Sequence, residues 1–96
     1  MTSKERAYLR GLANTITPIF QIGKNGISDN LIKQVDDALE ARELIKLSVL
    51  ETAPSDVKFV GEELAKSTNS VLVQTIGNKI TLFRKNTKNS KINFPK

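Results

Sequence analysis

Gly23-Lys24-Asn25-Gly26 is the stretch whose residue types and spacing could do chemistry. Two glycines three apart let the main chain turn with positive φ and strip away side-chain bulk. A sugar–phosphate strand could then approach the peptide N–H groups closely. Those groups, and the dipole of a helix starting just after them, favour a phosphate. Lys24 adds a mobile cation, and Asn25 adds an amide that can reach sugar or base. Gly-x-x-Gly loops hold an RNA backbone in KH domains by similar physics. The plain alternative is a strand-to-helix turn, where glycine is common. The loop is too short for a Walker A nucleotide site and is not Gly-x-Gly-x-x-Gly, so no nucleotide or dinucleotide cofactor is expected.

Little else in the chain points to chemistry. It has no Cys and no His. That removes the disulfide framework, the thiolate metal site and the commonest neutral-pH acid–base. Asp36-Asp37 and Glu62-Glu63 are adjacent acids in helical segments. Neighbours on a helix point in different directions, so these pairs read as solvated surface. No catalytic residue and no metal ligand is assigned, and the chain is expected not to be an enzyme or to take a small-molecule substrate.

The elements that must position the loop follow from periodicity. Thr2-x-x-Glu5 is a capping box that starts a helix at Ser3, with Tyr8, Leu9, Leu12 and Ala13 as its apolar stripe. Lys4, Arg6 and Arg10 lie off that stripe and are expected to face water or a partner. Ile16 to Ile22 alternates with period two and predicts a strand, with Pro18 at its start or on an edge. After the loop, Ser28 caps a second helix buried through Leu31, Ile32, Val35, Ala38 and Leu39. Leu44 to Leu50 is apolar on both faces and predicts a central strand. Ala53-Pro54-Ser55-Asp56 turns into a third helix with Val57, Val60, Leu64 and Ala65 at helical spacing. Gly61 lies inside that helix, where glycine is costly, so it is read as permitting a close helix–sheet contact. Val71 to Ile76 and Lys79 to Arg84 form a hairpin about Gly77-Asn78. The predicted order is αβαβαββ. It gives one α/β domain over residues 1–96, a mixed four-stranded sheet with three helices. Strand–helix–strand units are expected to place parallel strands side by side. Residues 85–96 form a basic tail, expected to be flexible, with Ile92 and Phe94 as its possible anchors.

Charge is distributed unevenly along this framework. The net charge is +5, and after Glu63 there is no acidic side chain at all. The segment 27–63 holds most of the acids. Such separation suggests an electropositive face, and basic domains of this kind often meet a polyanion. The hydrophobic share of 39% and charged share of 26% are those of a folded domain rather than a disordered one. No apolar run approaches the roughly 20 residues that span a bilayer, and the start is amphipathic. The expected setting is the cytoplasm, with no membrane partner.

Several segments, in order, resemble one family. They are Leu9-Arg10-Gly11-Leu12-Ala13, the strand ending in Gly23-Lys24-Asn25-Gly26-Ile27, Glu43-Leu44-Ile45-Lys46-Leu47, and Gln74-Thr75-Ile76-Gly77 before Thr81-Leu82-Phe83-Arg84. Their ordered spacing resembles the YhbY-like proteins, the free-standing bacterial form of the CRM domain, from about residue 3 to the Lys91-Ile92-Asn93-Phe94-Pro95 tail. The resemblance implies a fold similar to the C-terminal domain of bacterial translation initiation factor three. It also implies RNA binding and association with precursors of the large ribosomal subunit. In that family the Gly-x-x-Gly loop is the presumed RNA contact. Some members carry an uncharged residue where this chain has Lys24, so the glycines matter more to the inference than the charge.

The functional expectation combines these readings. Gly23, Lys24, Asn25 and Gly26 would clamp RNA backbone, helped by Lys4, Arg6 and Arg10 if the first helix lies beside the loop. Arg84, Lys85, Lys88 and Lys91 would extend the electrostatic footprint. The partner would be ribosomal RNA in precursor particles, bound by a monomer. The other reading is a protein-binding module of the translation or stress machinery, using the acidic middle of the chain. Phe59 and Tyr8 stand apart from the core reading, because a partly exposed ring could stack on a base.

Overall fold

Three capped helices and four strands make up the described part of the chain. The structure, a computed structural model, describes residues 1–86 together with Ile92 and Phe94. The first helix, α1, spans Ser3–Ala13, and its capping box is present. The Glu5 N–H donates to Thr2 Oγ1 at 3.1 Å and the Thr2 N–H donates to Glu5 Oε1 at 2.9 Å. β1 is Phe20–Ile22, α2 is Asp29–Arg42 and β2 is Leu44–Val49. α3 is Val57–Ser67, followed by β3, Val71–Ile76, and β4, Lys79–Phe83. Ser28 caps α2 by accepting from the Leu31 N–H, and Asp56 caps α3 by accepting from the Phe59 N–H. Among the described residues no helix is long and apolar enough to cross a membrane.

The sheet order is β1-β2-β4-β3, with β1 and β2 parallel and the other pairs antiparallel. This corrects the expectation that each strand–helix–strand unit joins neighbours. β2 and β3 run parallel, but β4 lies between them. Packing on both faces accompanies this order. Ile80 and Leu82 of β4 lie under α2 and α3 and Phe83 lies against α1, so residues 80–83 are all buried, whereas Thr75 and Ile76 of the edge strand β3 are exposed.

The first strand is also shorter than its alternation predicts. The N–H groups of Asn14, Thr15 and Ile16 bond back to Gly11, Leu12 and Ala13, finishing the last turn of α1. Pro18 has no N–H to donate. Pairing with β2 begins only at Ile19, whose N–H meets the Lys46 carbonyl at 2.9 Å.

Side-chain alternation sends the two faces of the sheet to different helices. Ile45, Leu47, Val49, Ile80 and Leu82 pack with Val35 and Leu39 of α2 and with Val60 and Leu64 of α3. On the other face Leu44, Val73 and Phe83 pack with Leu9 of α1. Ile92 and Phe94 join this second cluster, so both expected tail anchors are in place. The Phe94 ring lies 5.6 Å from that of Phe83 and 5.9 Å from that of Tyr8. Tyr8 is thereby a packing residue. Gly61 also has its expected role, since a Cβ there would come within 3.0 Å of Leu72 Cδ1 on the sheet.

Candidate nucleic-acid interface

The loop occupies the end of the sheet where β1 and β2 stop. Ile22 closes β1 opposite Val49, and the next residues must turn back into α2. The Gly26 N–H donates to the Gly23 carbonyl at 2.9 Å, closing a tight turn with Lys24 and Asn25 exposed at its tip. The two glycines have different reasons to be there. Gly26 has φ +62°, and a Cβ on it would sit 3.0 Å from Pro54 Cγ. The fold itself requires glycine at 26. At Gly23 a Cβ would make ordinary contacts of 3.5 Å with Thr52 Oγ1 and 3.7 Å with Leu50 Cδ1. Nothing in the fold forces glycine at 23.

One side of the loop opens into a groove of about 350 Å³. Besides the loop, its walls are Gln21 and Ile22 of β1, the Ser28 cap, and Asn30, Leu31 and Gln34 of α2. No carboxylate lines it, and Lys24 has no ion pair among the described residues. Amide and hydroxyl groups on three sides, with a mobile ammonium above, suit an anionic, hydrogen-bonding chain. Gln21, Ser28, Asn30 and Gln34 were missed as groove residues by sequence reasoning. The available signal was their polarity: Asn30 and Gln34 are i and i+4 on the wet face of α2, hence neighbours.

The rest of the expected footprint is elsewhere. α1 does not lie beside the loop. It packs on the opposite face from α2, and its Arg6 reaches the beginning of β3. β2 separates the two ends, about 17 Å along the strand at 3.3 Å per residue. Arg6 does not face water as expected. Its Nη1 donates to the carbonyls of Leu72 and Val73, each at 2.9 Å, beside a bulge in β3. The bulge leaves carbonyls unpaired on an edge strand, and the guanidinium fills that vacancy.

Arg84 is likewise committed internally. Its Nη1 donates to the Thr68 carbonyl at 2.7 Å and to Asp36 Oδ1, and its Nη2 to the Asp36 carbonyl at 3.0 Å and Glu40 Oε2 at 3.1 Å. It ties the end of β4 to α2 and to the cap of α3. Lys4, Arg10 and Lys85 are exposed. They belong to the α1 end of the molecule. Lys88 and Lys91 lie outside the described residues, as does most of the tail expected to be flexible.

The same end holds Glu43, which sequence reasoning passed over. It is fully buried, has φ +65°, and follows the last residue of α2. Its carboxylate accepts the Asn86 N–H at 2.8 Å and the Ile92 N–H at 3.0 Å, while its carbonyl accepts the Arg84 N–H at 2.9 Å. It anchors the chain beyond β4.

Comparison with known proteins agrees with this geometry. Residues 1–84 match the model of the CRS1 / YhbY (CRM) domain. The Probable RNA-binding protein YqeI of Bacillus subtilis is 50% identical over 95 residues, covering 99% of each chain. An RNA-binding protein of Haemophilus influenzae is 28% identical over 96 residues, 100% of this chain and 96% of that one. The solution structure of SAV1595 from Staphylococcus aureus superposes with a TM-score of 0.82 at 50% identity, covering 99% of each chain. The order of elements, the mixed sheet and the matched residues lead to one assignment: this chain belongs to the CRS1 / YhbY (CRM) domain family.

Proposed function

We propose that this protein binds RNA through the 23–26 loop and the groove beside it. The observation that carries the reading is the turn itself. It holds a stretch of main chain at the end of the sheet, flanked by an exposed lysine, over a groove without a carboxylate. The names of the Bacillus and Haemophilus relatives support it. Gly23, Lys24, Asn25 and Gly26 contact the backbone, with Gln21, Asn30 and Gln34 hydrogen-bonding to sugar or phosphate. Lys4, Arg10 and Lys85 add only a distant electrostatic field, and Arg6 and Arg84 serve the fold. No reaction step is assigned to any side chain.

The RNA is ribosomal RNA in precursors of the large subunit, and the protein acts there as an assembly factor, as a monomer in the cytoplasm. Family membership and the affinity of a basic domain for a structured polyanion support this finer reading.

Two measurements test the proposal. Lys24→Ala should weaken RNA binding and reduce the log–log salt slope by about 0.7–0.9. An unchanged slope would remove Lys24 from the interface. Crosslinking in cells, with sequencing of the attached RNA, should recover large-subunit rRNA precursors. Recovery of only messenger or transfer RNA would sink the ribosomal part.

A further inference from the structure

The loop has a second side, and it is apolar. A cleft of about 210 Å³ lies between the loop and the start of α3, lined by Gly26, Ile27, Pro54, Ser55, Phe59 and Val60. Phe59 is 49% exposed and is the aromatic among the large exposed apolar side chains. Its position is fixed, since its N–H is held by the Asp56 cap at 2.8 Å in the first turn of α3. Gly26 lines both this cleft and the polar groove, so the two meet at a residue with no side chain to divide them.

We propose that the Phe59 cleft receives a nucleobase, which makes the loop a reader of single-stranded RNA. The proposal rests on the RNA-binding reading above. A nucleotide has the same two-sided character as this surface: a charged, hydrogen-bonding backbone and a flat ring with an apolar face. With the backbone in the amide-lined groove, one base passes over Gly26 and lies on Phe59, against Ile27 and Pro54. The Ser55 hydroxyl is within the cleft and offers a donor and an acceptor to the base edge. The cleft is smaller than the 300–1,000 Å³ typical of drug-sized ligands and suits a single base. A base inside a duplex is stacked and cannot enter, which selects unpaired RNA. A lone exposed apolar residue needs no explanation. An exposed ring forming the wall of a cleft that shares a glycine with the backbone groove does.

The test compares a short unstructured oligoribonucleotide with a counterpart of the same length carrying abasic sites. Wild-type protein should bind the intact RNA about tenfold more tightly, the order expected for one base–aromatic stack. Phe59→Leu, which keeps apolar bulk without the ring, should erase that gap while leaving the salt slope unchanged. Phe59→Tyr should keep the gap. Equal binding of the two RNAs by the wild type, or a gap that survives in Phe59→Leu, overturns the base site. Should Phe59→Leu melt early, the NMR signals of the Phe59 ring in the wild type decide. Ring signals that do not shift on adding intact RNA also overturn it. Loss of the base site with a Lys24-dependent slope intact leaves backbone binding standing. Absence of RNA binding by the wild type removes both.

Discussion

The two ends of β2 use their polar residues in opposite ways. Where β2 begins, Arg6, Arg84 and Glu43 are turned inward and spend their hydrogen-bonding capacity on carbonyls, carboxylates and N–H groups of the fold. Where β2 ends, Lys24, Asn25, Gln21, Asn30 and Gln34 surround a groove and face outward. An arginine fork can satisfy several carbonyls at once, which makes it a good internal clamp. A lysine on a turn tip is a solvated point charge that remains available. Charge in the sequence is therefore a poor guide to charge at the interface, and the difference is decided by which polar groups the fold leaves without a partner.

The sharpest way to break this comparison is at Glu43. Glu43→Ala leaves partly buried N–H groups of Asn86 and Ile92 without an acceptor. It should cost about 3 kcal/mol of stability, read from urea unfolding, with RNA affinity of the folded fraction unchanged. A neutral result would mean that water replaces the carboxylate and that this end is less committed than described.

Within the loop, Gly26→Val should cost about 2–3 kcal/mol, because a β-branched residue is forced to positive φ against Pro54. Gly23→Ala should leave stability within about 1 kcal/mol, since its backbone has no such strain. A difference between these two in melting, but not in RNA binding by the folded protein, would show that the glycines serve the turn and not the ligand.

Arg84→Ala should cost about 2 kcal/mol, limited by the exposure of its carboxylate partners Asp36 at 52% and Glu40 at 64%. Its salt slope for RNA should match wild type, the reverse of Lys24→Ala. Equal slopes for the two variants would erase the distinction between the ends.

The smallest effect belongs to Glu5. Its carboxyl is held below the usual carboxylate range by the Thr2 N–H and then by the Thr2 hydroxyl. A depressed folded-state pKa means the capping contribution is present above the unfolded value and is lost as pH falls through the folded one. Circular dichroism should show slight fraying of α1 only in acid, as pH falls below the ordinary glutamate range, with no change near neutrality.

Local rules were enough for much of this protein. The Thr2–Glu5 capping box, the Ser28 cap, the Gly77-Asn78 hairpin and the buried faces of the helices were all legible, because each depends on residues close in sequence. The same holds for the turn at 23–26. What the sequence could not supply was the company each cation keeps. Arg6 lies 66 residues from the Leu72 carbonyl it binds, and Arg84 lies 48 from Asp36. The place of β4 between β2 and β3 was decided the same way, by long-range packing of Ile80 and Leu82 with α2 and α3 and of Phe83 with α1. Sequence alone therefore set the elements and the exposed turn, through short-range hydrogen bonding and apolar periodicity. Tertiary structure alone decided which charges were left for a partner, because that depends on long-range packing that brings distant polar groups into reach or keeps them apart.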